Sequence, residues 1–96
     1  MIDSAKVKQI VREVAKAHLK PISIADVLSE PAADSEGSDA LRITIVIGPD
    51  SARQLSGDAV LDTLVDIRER LRGAGEERLP IIEYATREEL DAGGDP

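Results

Sequence analysis

Side chains able to do acid, base or ligand chemistry gather at few places in this 96-residue chain. The densest is Glu30-Pro31-Ala32-Ala33-Asp34-Ser35-Glu36-Gly37-Ser38-Asp39, which holds four carboxylates and no basic residue. Its Asp34-x-Glu36-Gly37-x-Asp39 spacing looks superficially like a calcium loop. A true EF-hand loop needs ligands at alternating positions over twelve residues, a bidentate Glu at the end and flanking helices. Those features are missing, and Gly, Asp and Ser are also what a hairpin connection prefers. The stretch is therefore expected to be a solvated hairpin tip, with no metal ligand assigned.

His18 is the sole histidine, and the chain has no Cys. Without a nucleophile motif to place a Ser or Asp beside it, His18 cannot be given the role of a base. The expectation is that it caps the last turn of the helix that carries it, where a donor group is favourable. Lys8, Arg12, Lys16 and Lys20 recur every four residues, which draws them into one basic stripe, either a solvated helix face or a contact for an acidic partner or a phosphate backbone. Tyr84 is the only aromatic residue. Modules that stack bases offer several aromatic platforms, so Tyr84 is expected in the core or on a sheet face with its hydroxyl at the boundary.

No G-x-G-x-x-G, P-loop, G-x-S-x-G or H-E-x-x-H pattern occurs. No catalytic, cofactor-binding or metal-binding residue is assigned, and the chain is not expected to be an enzyme.

The elements that must position these residues follow from periodicity. Val7, Ile10, Val11, Val14 and His18 mark an amphipathic helix from Asp3 to Leu19, capped by Asp3 or Ser4 and closed by Pro21. Ile22 to Leu28 alternates as a strand and slips phase at Asp26, which predicts a bulge or irregular edge, and Pro31 also suits an edge. In Leu41-Arg42-Ile43-Thr44-Ile45-Val46-Ile47 the odd positions share an apolar face. Gly48-Pro49-Asp50-Ser51 is turn chemistry, running to Gln54 as a loop or single helical turn. A second helix starts at Ser56 or Gly57 and is expected to bury Val60, Leu61, Leu64, Ile67 and Leu71, with Gly73 and Gly75 able to end it at positive φ. Its wet side carries Asp62, Asp66, Glu69, Arg70 and Arg72. Leu79 to Ala85 reads as a third strand, and Thr86-Arg87-Glu88-Glu89 is a capping box opening a short helix to about Asp91.

The predicted order is α-β-β-α-β with a trailing helix, an α+β fold in which two helices pack on one face of a three-stranded sheet. Pattern leaves open whether strand 3 lies beside strand 1 or strand 2. Residues 1–91 form one domain, and 92–96 are expected to be a disordered tail. Twenty-six Val, Ile and Leu residues supply an aliphatic core. The opposite sheet face would lack a helical cover and show Arg42, Thr44 and Val46, a surface suited to self-association as a homodimer or to a partner, as is an edge strand.

A formal charge of −7 argues against non-specific nucleic-acid binding, which rests on neutralising phosphates. The charge is polarised: residues 1–20 hold five of the basic residues, and residues 21–40 hold five acids and no base. The lack of Cys suits a reducing cytosol. Met1 to Lys6 shows no basic segment leading into an apolar one, and no run reaches a membrane span. The expected location is cytoplasmic.

At Leu55-Ser56-Gly57-Asp58, Gly75-Glu76-Glu77-Arg78-Leu79-Pro80 and Ala85-Thr86-Arg87-Glu88-Glu89-Leu90, the chain resembles a group of small acidic bacterial proteins of uncharacterised function, some encoded beside toxin-like or HEPN-type genes. The likeness covers residues 40–90, carries no catalytic residue across, and implies a non-catalytic, antitoxin-like or regulatory partner. The α-β-β-α-β order also resembles part of a type II KH domain, which implies RNA binding. That family clamps RNA with a G-x-x-G loop, and this sequence has none. Two expectations result: a protein-interaction protein acting through Arg42, Thr44 and Val46, a strand edge or the basic stripe, and, as the alternative, a KH-like nucleic-acid module using Lys8, Arg12, Lys16 and Lys20.

Overall fold

A computed structural model of the protein describes residues 2–20 and 22–93, with backbone only at 92 and 93. Helix α1 spans Ser4–His18, and the carboxylate of Asp3 caps it by accepting the Lys6 amide at 2.8 Å. Pro21, expected to close the helix, lies outside the described residues. Val7, Ile10, Val11 and Val14 are buried as the spacing predicted, joined by Ala15 and Leu19. His18 stays at the rim of that stripe, partly exposed.

Strands β1 (Ile24–Ala33) and β2 (Asp39–Ile47) pair antiparallel, from Ile24 opposite Ile47 to Ala33 opposite Asp39. The register shifts between Ile24 and Asp26, so Ala25 is the extra residue of the bulge that the phase slip predicted. β1 is longer than expected at its far end: Pro31 remains in the ladder opposite Leu41, on an edge strand where a missing amide is tolerated. The hairpin tip shrinks accordingly to residues 34–38. There the Asp34 carboxylate accepts the Glu36 and Ser38 amides at 2.9 Å each, and Gly37 takes φ +82°.

Strand β3 (Leu79–Ala85) lies beside β2 and parallel to it, with Leu79 opposite Ala40 and Tyr84 opposite Ile45. β2 is therefore central, and the open question of strand order is answered. Leu41, Ile43, Ile45 and Ile47 face α1 and helix α2 (Gly57–Gly73), and together these elements form the core. Each fully buried aliphatic side chain there contributes about 1.5–3 kcal/mol relative to exposure.

Two expectations need correction. First, the predicted α2 stripe fails at Leu61: Ile67 and Leu71 are buried and Val60 and Leu64 partly so, as expected, but Leu61 faces water. The helix also buries Thr63, with Ala59 and Ala74 against the core, while Leu61 is 58% exposed. Thr63 is admitted because its hydroxyl donates to the Ala59 carbonyl at 2.7 Å, leaving no unmet donor. A reading that scores Thr as polar cannot see this row. Second, the sheet face opposite the core is not open along its length: Val46 is 1% and Thr44 8% exposed. On that side α3 (Arg87–Gly93) starts two residues after Ala85, the strand partner of Val46. It brings Leu90 beside Leu28, Arg42 and Thr44. The predicted capping box forms at its start, with Thr86 Oγ1 accepting the Glu89 amide at 3.2 Å and Glu89 Oε1 accepting the Thr86 amide at 3.1 Å. Residues 94–96 lie outside the described residues. No helix among the described residues is long and apolar enough to cross a membrane.

Candidate functional site

The acidic stretch is divided among three tasks. Glu30 sits on β1 and meets Arg42 at 3.5 Å, Asp34 organises the turn, and Asp39 opens β2 close enough to Arg78 to favour its charge. Among the described residues no three His, Asp or Glu side chains converge as metal ligands.

The basic stripe of α1 is interrupted at its centre. Arg12 turns toward β1 and meets Asp26 at 3.5 Å, next to the bulge. Lys16 and Lys20 are exposed and Lys8 is half-buried, and none of the three forms an ion pair among the described residues. His18 does not cap its helix. Its Nε2 lies 2.9 Å from Asp66 Oδ2 on α2, and Asp66 in turn accepts from Arg70 Nε at 3.1 Å. The His18 hydrogen bond is the main reason that the Asp66 carboxyl is held below its usual range, with Arg70 assisting against partial burial. These groups tie α1 to α2.

Arg42 bridges all three strands. It reaches Glu30 on β1 at 3.5 Å and Glu83 on β3 at 3.4 Å, so its charge is engaged within the sheet. With Val46 and Thr44 covered, the trio Arg42, Thr44 and Val46 offers no continuous surface; Arg42 alone remains well exposed. Tyr84 packs against the core as expected, but its hydroxyl does not reach the boundary. Among the described residues its hydroxyl is buried without a hydrogen bond, and burial raises its pKa, while the nearby Thr63 hydroxyl opposes the rise.

The most developed polar structure lies where the sequence singled out only glycines. After α2, the Glu76 amide donates to the Leu71 carbonyl at 2.9 Å and the Gly75 amide to the Arg72 carbonyl at 3.1 Å, with Gly75 at φ +99°. This is a Schellman ending, and it requires the left-handed residue that glycine supplies. The turn swings Glu76 inward until its side chain is 0% exposed. Arg78 meets it with a two-pronged grip, Nη2 to Oε1 at 2.8 Å and Nε to Oε2 at 2.9 Å. The Arg78 amide (3.0 Å) and the Ile2 amide (3.3 Å) also donate to the carboxylate. These donors, Arg78 foremost, outweigh desolvation and hold Glu76 down to about 2. Residues 74 positions apart are thereby joined, fixing the start of the chain to the entry of β3.

Beside this junction is a hollow of about 440 Å³ walled by Arg68, Leu71 and Arg72 of α2 and by Leu79 and Pro80 of β3. A shallower hollow of about 180 Å³ adjoins it at Val65, Arg68 and Arg72. Leu61, Val65, Arg68 and Arg72 follow one another at four-, three- and four-residue spacing, a single row on α2. Val65 and Leu79 are each 46% exposed. The Arg68 and Arg72 guanidiniums make no ion pair or hydrogen bond among the described residues, although Glu69 and Glu77 stand on the rims. Sequence reasoning missed this row because it placed Leu61 in the core and assigned Arg72 to a mixed wet face. The available signal was the alignment of Leu61 and Val65 with Arg68 and Arg72 on one helical face.

Comparison of the chain with protein-family models, curated proteins and solved structures returned no match.

Proposed function

We propose that this chain is a non-catalytic protein-interaction protein of the regulatory, antitoxin-like kind, acting in a bacterial cell through its α2 and β3 side. One observation carries the reading: aliphatic side chains at Leu61, Val65 and Leu79 stand in water next to two uncommitted arginines. Aliphatic area exposed beside free guanidinium groups is the composition of a protein-contact patch rather than of a solvated face. Elsewhere the charged groups at His18, Arg42 and Glu76 are committed to partners within the fold, which supports a structural role for them.

The alternative, nucleic-acid binding along α1, draws support from Lys8, Lys16 and Lys20. It is weakened by the engagement of Arg12 with Asp26 and by the net charge of −7.

The test is affinity capture of the tagged full chain from the source cell with quantitative mass spectrometry, alongside titration with single-stranded and duplex RNA at low and high salt. The expected result is a protein recovered in near-stoichiometric amount and lost when Leu61 and Val65 are replaced by Ser. RNA binding at low salt, abolished by neutralising Lys8, Lys16 and Lys20, would replace this reading with the alternative.

A further inference from the structure

The geometry points to a peptide site between α2 and the free edge of β3, taking an extended segment that alternates acidic and aliphatic side chains. The inference rests on the protein-interaction reading above and specifies the kind of partner.

Three observations combine. β3 is an edge strand: β2 occupies one side, and among the described residues its other side has no strand neighbour. No backbone hydrogen bond outside the ladder involves Leu79 to Ala85 among the described residues. An unpaired strand edge is a template for strand addition, in which main-chain bonds supply affinity and alternate side chains supply selectivity. The chain is seven residues long there, which gives an incoming segment about 23 Å of edge at the usual rise per residue. Pro80 removes one donor near the start, so pairing falls on Ile81 to Ala85.

The second observation is the α2 row, which runs antiparallel beside that edge because a tight turn joins the end of α2 to the start of β3. Arg68 and Arg72 therefore lie level with Leu79 and Pro80, walling the same hollow. The third is charge. In a chain of net charge −7, two adjacent guanidiniums without counter-ions select carboxylates, and fork-shaped donors do so with defined geometry. Glu69 and Glu77 on the rims repel carboxylates near themselves, which confines the acidic side chains of a ligand to the positions facing Arg68 and Arg72. Side chains of a strand alternate in direction, so carboxylates directed at Arg68 and Arg72 leave the intervening aliphatics on the opposite sheet face, the side of Leu79 and Ile81.

The experiment pans a random library of linear peptides, about the length of β3, against the folded full chain, then maps the best synthetic peptide by amide chemical shifts. The expected outcome is enrichment of alternating acidic and aliphatic sequences, with shifts concentrated in Leu79 to Ala85 and in residues 61–72. Reversing both arginines (R68E with R72E) should weaken binding at least about tenfold and invert its salt dependence, since added salt then screens a repulsion. Leu79→Ser should weaken it with the salt dependence kept. Circular dichroism of each variant separates lost binding from lost folding.

Enrichment of basic peptides, or no enrichment at all, would overturn the site. So would binding that survives R68E with R72E, or a solution dimer that buries β3. Acidic peptides that shift only the α1 or Arg42 surface would remove this site while leaving the protein-interaction reading intact.

Discussion

Arg78 and Arg42 both hold carboxylates, yet the two sites differ in almost every respect that sets energy. Arg78 is 14% exposed and grips a fully buried Glu76 through two parallel hydrogen bonds. Arg42 is 46% exposed and touches Glu30 and Glu83 at 3.5 and 3.4 Å, both of them more than half in water. Arg42 has the more partners, and Arg78 the greater consequence. The difference teaches that access of water, not the number of ions gathered, decides what an ion pair contributes. It also separates two jobs: Glu76 and Arg78 determine how the chain enters β3, whereas Arg42 aligns strands already paired by their backbones.

The sharpest way to break the comparison is Arg78→Met. It leaves Glu76 buried with only the backbone amides of Ile2 and of position 78 as donors, and the expected loss is about 3–5 kcal/mol in urea unfolding. Replacing Glu76 as well, by Gln, should recover much of that loss, since the penalty comes chiefly from an unpaired buried charge. If the single and double variants unfold alike, the pair itself was the stabilising unit. The free edge of β3 and the Arg68 and Arg72 hollow adjoin this junction, so Arg78→Met should also weaken any ligand held there.

Acid titration probes the same site without mutation. The Glu76 carboxyl moves from an ordinary 4.5 to about 2 on folding. A depressed carboxyl stabilises the fold above its unfolded pKa, and that stability disappears as pH falls through the folded one. The contribution is thus complete above about pH 4.5 and is lost toward pH 2, amounting to about 3 kcal/mol from the size of the shift. Thermal melts between neutral and strongly acidic pH, compared with those of Glu76→Gln, measure it. Asp66, held down mainly by His18, adds a loss of the same sign over the acid range below its ordinary value of 3.8.

How far the sequence predicted this molecule varies with the kind of signal each residue sends. The bulge at Ala25, the cap at Asp3 and the Thr86–Glu89 box were all legible because each depends on side chains within a few positions. The position of β3 was not, because parallel pairing is settled by packing across the crossover rather than by any local pattern. The α2 stripe was legible except at Leu61 and Thr63: Thr63 hides its hydroxyl on its own helix and so enters the core, while Leu61 stands outward. The candidate peptide site adjoins the exposed row that includes Leu61. Its arginines were visible as letters, but their lack of counter-ions is a property of three-dimensional placement. Glu76 likewise looked like one acid among nineteen until Gly75 turned it inward.

Between the two extremes lies the His18–Asp66 bond, partly exposed and 2.9 Å long. Replacing His18 by Ala should cost about 1 kcal/mol, the net value of a half-buried hydrogen bond, and should lift the Asp66 carboxyl back toward its ordinary range. Carboxyl-detected NMR titration reads the second effect directly, and an unchanged Asp66 would show that Arg70 alone holds it. Tyr84→Phe tests the core at the same scale with the opposite sign. Removing a hydroxyl that is buried without a bond should leave stability unchanged or raise it by up to about 1 kcal/mol. A loss would mean that the hydroxyl finds a partner in solution.

The smallest effect is expected at Arg42, and it completes the contrast with Arg78. Arg42→Gln keeps much of the stem that covers the sheet while deleting the charge shared by Glu30 and Glu83. Both acids then face each other across β2 without a cation, but each is solvated, so the loss should stay below about 1 kcal/mol and shrink further in high salt. Urea unfolding at two salt concentrations is the measurement. A loss of several kcal/mol, unaffected by salt, would mean that α3 and Leu90 shield this cluster far more than its exposure implies. The Arg42 side of the sheet would then belong with the Glu76 junction as an internal anchor, and the difference between the two sites would vanish.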